Sequence, residues 1–190
     1  SVDEDWVHEM IHVRQDEPER RSNTYLHLLR EAKGLFEPTA LERLAPRQRG
    51  GPSLVEVNGQ GTTGLDPIAA TEAISQDFLG QGGKYARPFI TLAAYDAMTG
   101  GEGTSPTGAE HLAGLPDAVR RVALSIETFH KASLVHDDIE DDDQFRYGNP
   151  TLHRQHGVST AINVGDYLIG LGYRLVSREA ASLGTEVVCD

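Results

Sequence analysis

From Pro116 onward the chain carries Val119, Val122, Ala123, Ile126, Phe129 and Ser133 at intervals of mostly three and four residues. This spacing predicts one stripe along a helix and rules out the two-residue alternation of a strand. Leu124, Leu134 and Val135 fall on other faces, so the helix is expected to be buried nearly all round. Such a helix must be surrounded, and no strand alternation of useful length and no internal repeat occurs to do it with a sheet. The fold class that remains is all-α, a bundle of packed helices.

Other segments supply the neighbours. Residues 3–15 are compatible with a short amphipathic helix, and "SNTYLHLLREAKG" with a firmer one, capped by Ser22 or Asn23 and stopped at Gly34. Asp66-Pro67 opens a helix that runs to about Phe78, since Asp caps well and Pro suits the first turn. "YARPFITLAAYDAM" is apolar at helical spacing, and a last long helix is expected over residues 158–183. Residues 46–65 hold five glycines and two prolines and read as a mobile loop, with "SLVEV" as a possible short strand. "TGGEGTSPTG" is a second Gly-rich loop.

With 190 residues the chain suits one domain or part of a larger one. A net charge of −12 argues against nucleic acid or an anionic membrane surface as the main partner. The single cysteine, Cys189, forms neither an internal disulfide nor a Cys-based zinc site, which fits a reducing cytoplasm. "AINVGDYLIGLGYRLV" is the most apolar stretch and is too short and too interrupted to span a bilayer, so no stable membrane insertion is expected.

The buried helix runs into six acids within Asp137 to Asp143. Asp137 and Asp138 lie four and three residues before Asp141, so a continuing helix is expected to project all three carboxylates from one side. Like charges at a helix C-terminus are costly, because the dipole there already disfavours anions. A bound cation removes the cost, and oxygen-only ligands suit a hard ion such as Mg2+. His130 precedes Asp137 by seven residues, Lys84 and Arg87 follow the glycines of "GGKYARP", and Arg146 follows the acids. A carboxylate cluster with separate cations on glycine-flanked and loop positions suits a ligand bearing diphosphate.

"GGKYARP", "ETFHKASLVHDDIEDDDQFRYGNPTLH" and "GVSTAINVGDYL" together resemble three linked motifs of the trans-isoprenyl diphosphate synthases, or polyprenyl synthetases, over about residues 66–183. The second of these contains the pattern of the first aspartate-rich motif, DDxxD. The resemblance implies antiparallel helices around a deep apolar cavity, a homodimer, and head-to-tail condensation of isopentenyl diphosphate with an allylic diphosphate. It implies Mg2+ on Asp137, Asp138 and Asp141, the allylic diphosphate on Arg146, and isopentenyl diphosphate on Lys84, Arg87 and His130. It further implies that side chains below the first motif set product length: Ser133 and Ala132 are small and Phe129 lies a turn deeper, which points to a geranylgeranyl or longer product.

Two departures qualify the resemblance. Tyr147 stands where the family often has a second arginine, removing a cation expected at the isopentenyl diphosphate site. No second DDxxD follows, so residues 1–190 read as a partial isoprenoid synthase domain, incomplete at the C-terminus. Both departures keep a noncatalytic diphosphate-binding homologue or subunit in view, and a terpene cyclase is a further alternative. Plainer readings stand beside the functional ones: an exposed acidic helix end for the aspartates, surface cations for Lys84 and Arg87, and a satisfied core histidine for His130. Glu140, Asp142 and Asp143 read as solvated surface, His136 and His153 as structural, and Asp166 as a buried structural carboxylate.

Overall fold

The computed structural model describes residues 18–48 and 66–189. The expected helix over 3–15, the "SLVEV" strand and most of the 46–65 loop lie outside these residues. Within them the architecture is all-α: α1 (Pro18–Gly34), α2 (Pro38–Leu44), α3 (Pro67–Gly80), α4 (Ala86–Met98), α5 (Gly108–Ala113), α6 (Asp117–Glu140), α7 (Leu152–His156), α8 (Val158–Ser177), α9 (Ala180–Leu183) and α10 (Thr185–Cys189). A single 3-10 turn at Glu102–Thr104 interrupts the second Gly-rich loop. The only sheet among the described residues is a hairpin of two-residue strands, with Phe145 opposite Pro150 and Arg146 opposite Asn149.

Local chemistry accounts for the start of α3. Asp66 caps α3 by accepting from the amides of Ile68 and Ala69, with Pro67 in the first turn. α1 starts at Pro18, ahead of the cap expected at Ser22 or Asn23, and ends at Gly34 as expected. The long helix expected over 158–183 ends instead at Ser177. Beyond it the buried Glu179 turns in to pair with Arg121, and its carbonyl accepts the amides of Ser182 and Leu183 to start a new short helix.

α6 is the central helix, packed along α8 and against α4, while α3 also packs on α8. α8 contributes Ala161, Val164, Gly165, Leu168, Leu171, Gly172 and Leu175 to the core on a regular helical stripe. Each fully buried leucine there stabilises the fold by about 1.5–3 kcal/mol. The two glycines let α6 come close: a Cβ at Gly165 would lie 2.5 Å from His136 Nε2, and one at Gly172 2.8 Å from the Phe129 ring. These contacts set α6 and α8 antiparallel, with Asp137 near the start of α8 and Phe129 near its end.

The burial of α6 differs from the pattern expected. Its buried arc runs through Ala123, Leu124, Thr128, Lys131, Ala132 and Val135 to Asp138. Ile126 and Ser133, taken as part of a core stripe, are exposed and stand in line with Asp137. α8 presents a matching exposed row of Ile162, Asp166, Ile169 and Tyr173. The helix is therefore two-sided, with a packed face and an open face that carries an acid at its top.

Candidate diphosphate site

The open face of α6 ends at Asp137, and Asp141 follows as the residue that closes the helix, its amide donating to the Asp137 and Ile139 carbonyls. Both aspartates are exposed. Asp138 does not join them. At 100° per residue it turns away from Asp137, and it is 2% exposed. Arg146 reaches it from the hairpin, with Nε 2.9 Å from Oδ1 and 3.2 Å from Oδ2 and a further bond from the terminal nitrogen. Arg146 also lies 3.3 Å from Asp143. The expected projection of all three carboxylates from one side is thus corrected to two outward and one inward. Among the described residues no group of three His, Cys, Asp or Glu side chains is close enough to hold a metal.

The donors that are available still suit a hard cation. Asp137 and Asp141 stand four residues apart at a helix C-terminus, where their repulsion and the dipole are both unfavourable without a counter-ion. Mg2+ is commonly held by one or two carboxylates, with substrate phosphate oxygens and water completing its shell. Two outward aspartates fit that requirement.

Arg87 and Arg146 lie near His130. His130 is half-buried on α6, and burial lowers its pKa below the ordinary 6.5. Arg87, Lys131 and Arg146 push it further in the same direction, while Asp137 opposes them. The imidazole therefore lies within electrostatic reach of the loop cation Arg87, the hairpin cation Arg146 and the first aspartate. Lys84 and Arg87 are exposed at the start of α4. Tyr85 between them adopts a left-handed backbone, with φ of 52°.

Tyr147 occupies a defined place in this site. It too is left-handed, with φ of 54°. Its ring lies directly against Gly82: a Cβ there would be 2.6 Å from the ring's Cγ. Glycine is required at that point for space. The ring is 6.3 Å from Phe78 by centroids, and burial raises the phenol pKa.

Behind this turn lies Lys131, a member of the quoted motif to which the sequence alone assigns no role. It is 0% exposed. Its ammonium donates to the carbonyls of Phe78 and Leu79, each at 3.0 Å, to that of Gly82 at 3.2 Å, and to that of Gln81. The rings of Tyr147, Phe78 and Tyr85 surround it at 4.9, 5.4 and 5.9 Å. Burial lowers its pKa to about 8, with Glu127 pulling the other way. Glu127 is itself buried, with Oε2 unbonded, and desolvation raises its pKa. The signal available in the sequence was a lysine and a glutamate on the buried side of an apolar helix, where each needs a partner.

The remaining candidates divide. Ser133 is exposed one turn below Asp137, and Phe129 packs edge-to-face on Tyr173 with centroids 4.9 Å apart. Ala132 turns into the core at 1% exposure and does not share their face. Asp166 is not the buried carboxylate expected: its side chain is 65% exposed, 3.5 Å from His136 Nε2. It lies on the open row of α8, where water reaches it. His153 is buried, with Nε2 3.7 Å from Asp142 and neither ring nitrogen hydrogen-bonded.

Comparisons with known proteins identify the family and the fold. The polyprenyl synthetase family profile matches residues 69–188. The chain belongs to that family. It is 36% identical over 107 residues to a geranylgeranyl pyrophosphate synthase of Geoglobus acetivorans, covering 56% of this chain and 29% of that protein. It is 39% identical over 99 residues to a geranylfarnesyl diphosphate synthase of Natronomonas pharaonis, covering 50% and 28%. A farnesyl diphosphate synthase of Bacillus subtilis is 36% identical over 102 residues, covering 53% and 30%. The apo crystal structure of an FPP/GFPP synthase from Zymomonas mobilis superposes with a TM-score of 0.59 at 23% identity, over 90% of this chain and 50% of that one. That likeness establishes the isoprenoid synthase fold. The matches to these curated relatives span less than a third of their lengths.

Proposed function

We propose that the chain serves a Mg2+-dependent trans-prenyltransferase that condenses isopentenyl diphosphate head-to-tail with an allylic diphosphate, giving a product of geranylgeranyl length or longer. The observation that carries this reading is the position of His130, which feels Arg87, Arg146 and Asp137 together. The start of α4, the hairpin and the acidic helix end thus all act on His130.

In this reading Asp137 and Asp141 hold the metal, which when bound supplies charge neutralisation for a departing diphosphate. Lys84 and Arg87 hold the diphosphate of isopentenyl diphosphate at the start of α4, and His130, kept neutral at pH 7, orients it without adding charge. Arg146 contacts the allylic diphosphate from the hairpin, and its bonds to Asp138 fix the angle from which it does so. The open face from Asp137 through Ser133 to Phe129 lines the path of the growing chain, with Phe129 and Tyr173 across its lower end. A homodimer and a cytoplasmic setting complete the proposal. No described helix is long and apolar enough to cross a membrane.

The test is turnover of labelled isopentenyl diphosphate by the full coding-sequence product, with a panel of allylic diphosphates and Mg2+. Elongated product that disappears in Asp137→Ala supports the reading. A second reading, a noncatalytic diphosphate-binding subunit, is favoured by Tyr147 at the position of an expected cation. Diphosphate binding without condensation under any primer would select it.

A further inference from the structure

Lys131 pulls the carbonyls of Gln81 and Gly82 inward. No cis peptide occurs among the described residues. In a trans peptide the N–H points opposite to the C=O. The amides of Gly82 and Gly83, which share those two peptide units, are therefore turned away from the ammonium. Among the described residues neither amide donates to a backbone or side-chain acceptor. Two oriented donors in a glycine turn, next to a lysine and ahead of a helix start, form a concavity suited to an anion. Tyr147 packs on the same turn, its ring against Gly82 and 4.9 Å from the Lys131 ammonium.

We propose that Lys131 and Tyr147 are a positioning pair for the diphosphate of isopentenyl diphosphate, fixing the Gly82–Gly83 turn so that its amides take part in binding where a second direct cation is lacking. The inference rests on the functional reading above and deepens it. Lys131 does not touch the ligand. It sets the turn's orientation and ties it to α6, the helix that also bears His130 and Asp137, so that the two diphosphates are held at a fixed separation. Its charge lies behind the amides and reinforces them. The charged and titratable groups near the ammonium include Glu127 and His130 on its own helix, the Glu127 carboxylate lying beside Gly83, and Arg87 on α4, which acts on that same carboxylate.

The experiment is a titration of the 15N-labelled 190-residue chain with isopentenyl diphosphate, and separately with geranyl diphosphate and Mg2+. It reads the Gly82 and Gly83 amide signals and the Kd. In the wild type both glycine amides move with isopentenyl diphosphate. Lys131→Met, which keeps length and removes charge, is expected to weaken that ligand tenfold or more and to abolish the glycine shifts. Geranyl diphosphate affinity should stay within twofold. Tyr147→Leu, an independent handle should Lys131→Met fail to fold, is expected to weaken isopentenyl diphosphate severalfold with the same selectivity. Binding by the wild type with unmoved glycine amides, or wild-type affinity in either folded variant, overturns the pair's role and leaves the functional reading standing. A wild type that binds neither diphosphate overturns both.

Discussion

Arg146 holds Asp138 through two nitrogens, with Nε 2.9 Å from one carboxylate oxygen and 3.2 Å from the other, in a setting where the Asp138 side chain is almost fully enclosed. The second aspartate of a DDxxD pattern is thereby a structural partner of the hairpin, while the first and third face outward. The three acids should respond differently to substitution.

Asp138→Asn is expected to cost about 1–3 kcal/mol of stability, because the enclosed side chain loses its charge-assisted bonds to Arg146, which keeps Asp143 as a partner. Asp137→Asn and Asp141→Asn, at exposed positions, should leave the melting temperature within a degree or two and remove Mg2+-dependent diphosphate binding. Thermal melts run beside calorimetric titration would separate the two effects. Equal loss of stability in all three would contradict the geometry.

His130 has its proton affinity lowered first by burial and then by Arg87, Lys131 and Arg146. It is neutral at pH 7 and takes up its proton in the folded state only below the ordinary 6.5. The unfolded chain binds that proton earlier, so this residue withdraws stability as pH falls through 6.5. Arg87→Ala should raise its midpoint toward 6.5, read from the imidazole signals in an NMR pH titration. No movement would place Arg87 outside the site.

Lys131 titrates near 8 in the folded protein, against an ordinary value of 10.5. Below pH 8 both states carry the proton and no slope arises. Between 8 and 10.5 the unfolded chain binds more protons, so wild-type stability should rise with pH relative to Lys131→Met. Over the same rise the turn carbonyls lose their cationic partner, and isopentenyl diphosphate affinity should fall. Opposite trends in melting temperature and affinity would be diagnostic.

Gly82→Ala places a methyl group 2.6 Å from Tyr147 Cγ and asks an L-residue to adopt φ of 31°. A loss of about 1–3 kcal/mol is expected from the overpacking. Tyr147→Ala should recover part of it in the double variant, since the ring is what the methyl group meets. Urea denaturation of the four proteins measures the coupling.

Ala132 and Ser133 were equivalent as tunnel residues in the sequence and are not so in space. Ser133→Phe should leave the fold intact and shorten the product. Ala132→Phe forces a ring into the core cluster, with an expected cost of about 1–3 kcal/mol. Chromatography of products together with thermal melts would tell the two apart.

The helices were readable because their periods, caps and breakers are local properties. Asp66-Pro67 and Gly34 act over a few residues, and both perform as expected. What escaped was set by partners distant in sequence. Which side of α6 is packed depends on where α8 lies, so Ile126 and Ser133 were assigned to the wrong face. Asp138 faces inward by the turn of the helix, and the partner that makes this tenable, Arg146, arrives from a hairpin eight residues later. The break after Ser177 depends on Arg121, 58 residues away from Glu179. The candidate cations Lys84, Arg87 and Arg146 are legible as motif positions, whereas Lys131 is hidden by lying inside one, where its bonds are to carbonyls 49 to 53 residues earlier.

The bonds from the Lys131 ammonium to the turn carbonyls also bear on the thermodynamics of capture. Fixing the backbone of one residue costs about 1–2 kcal/mol in conformational entropy. With the carbonyls of Gln81 and Gly82 already held, that cost falls on folding and not on the arriving ligand. Preorganised sites gain affinity by this saving. A flexible-looking "GQGG" is thus fixed by Lys131 before any ligand arrives, and in the proposed role its glycines supply closeness of approach more than freedom of motion.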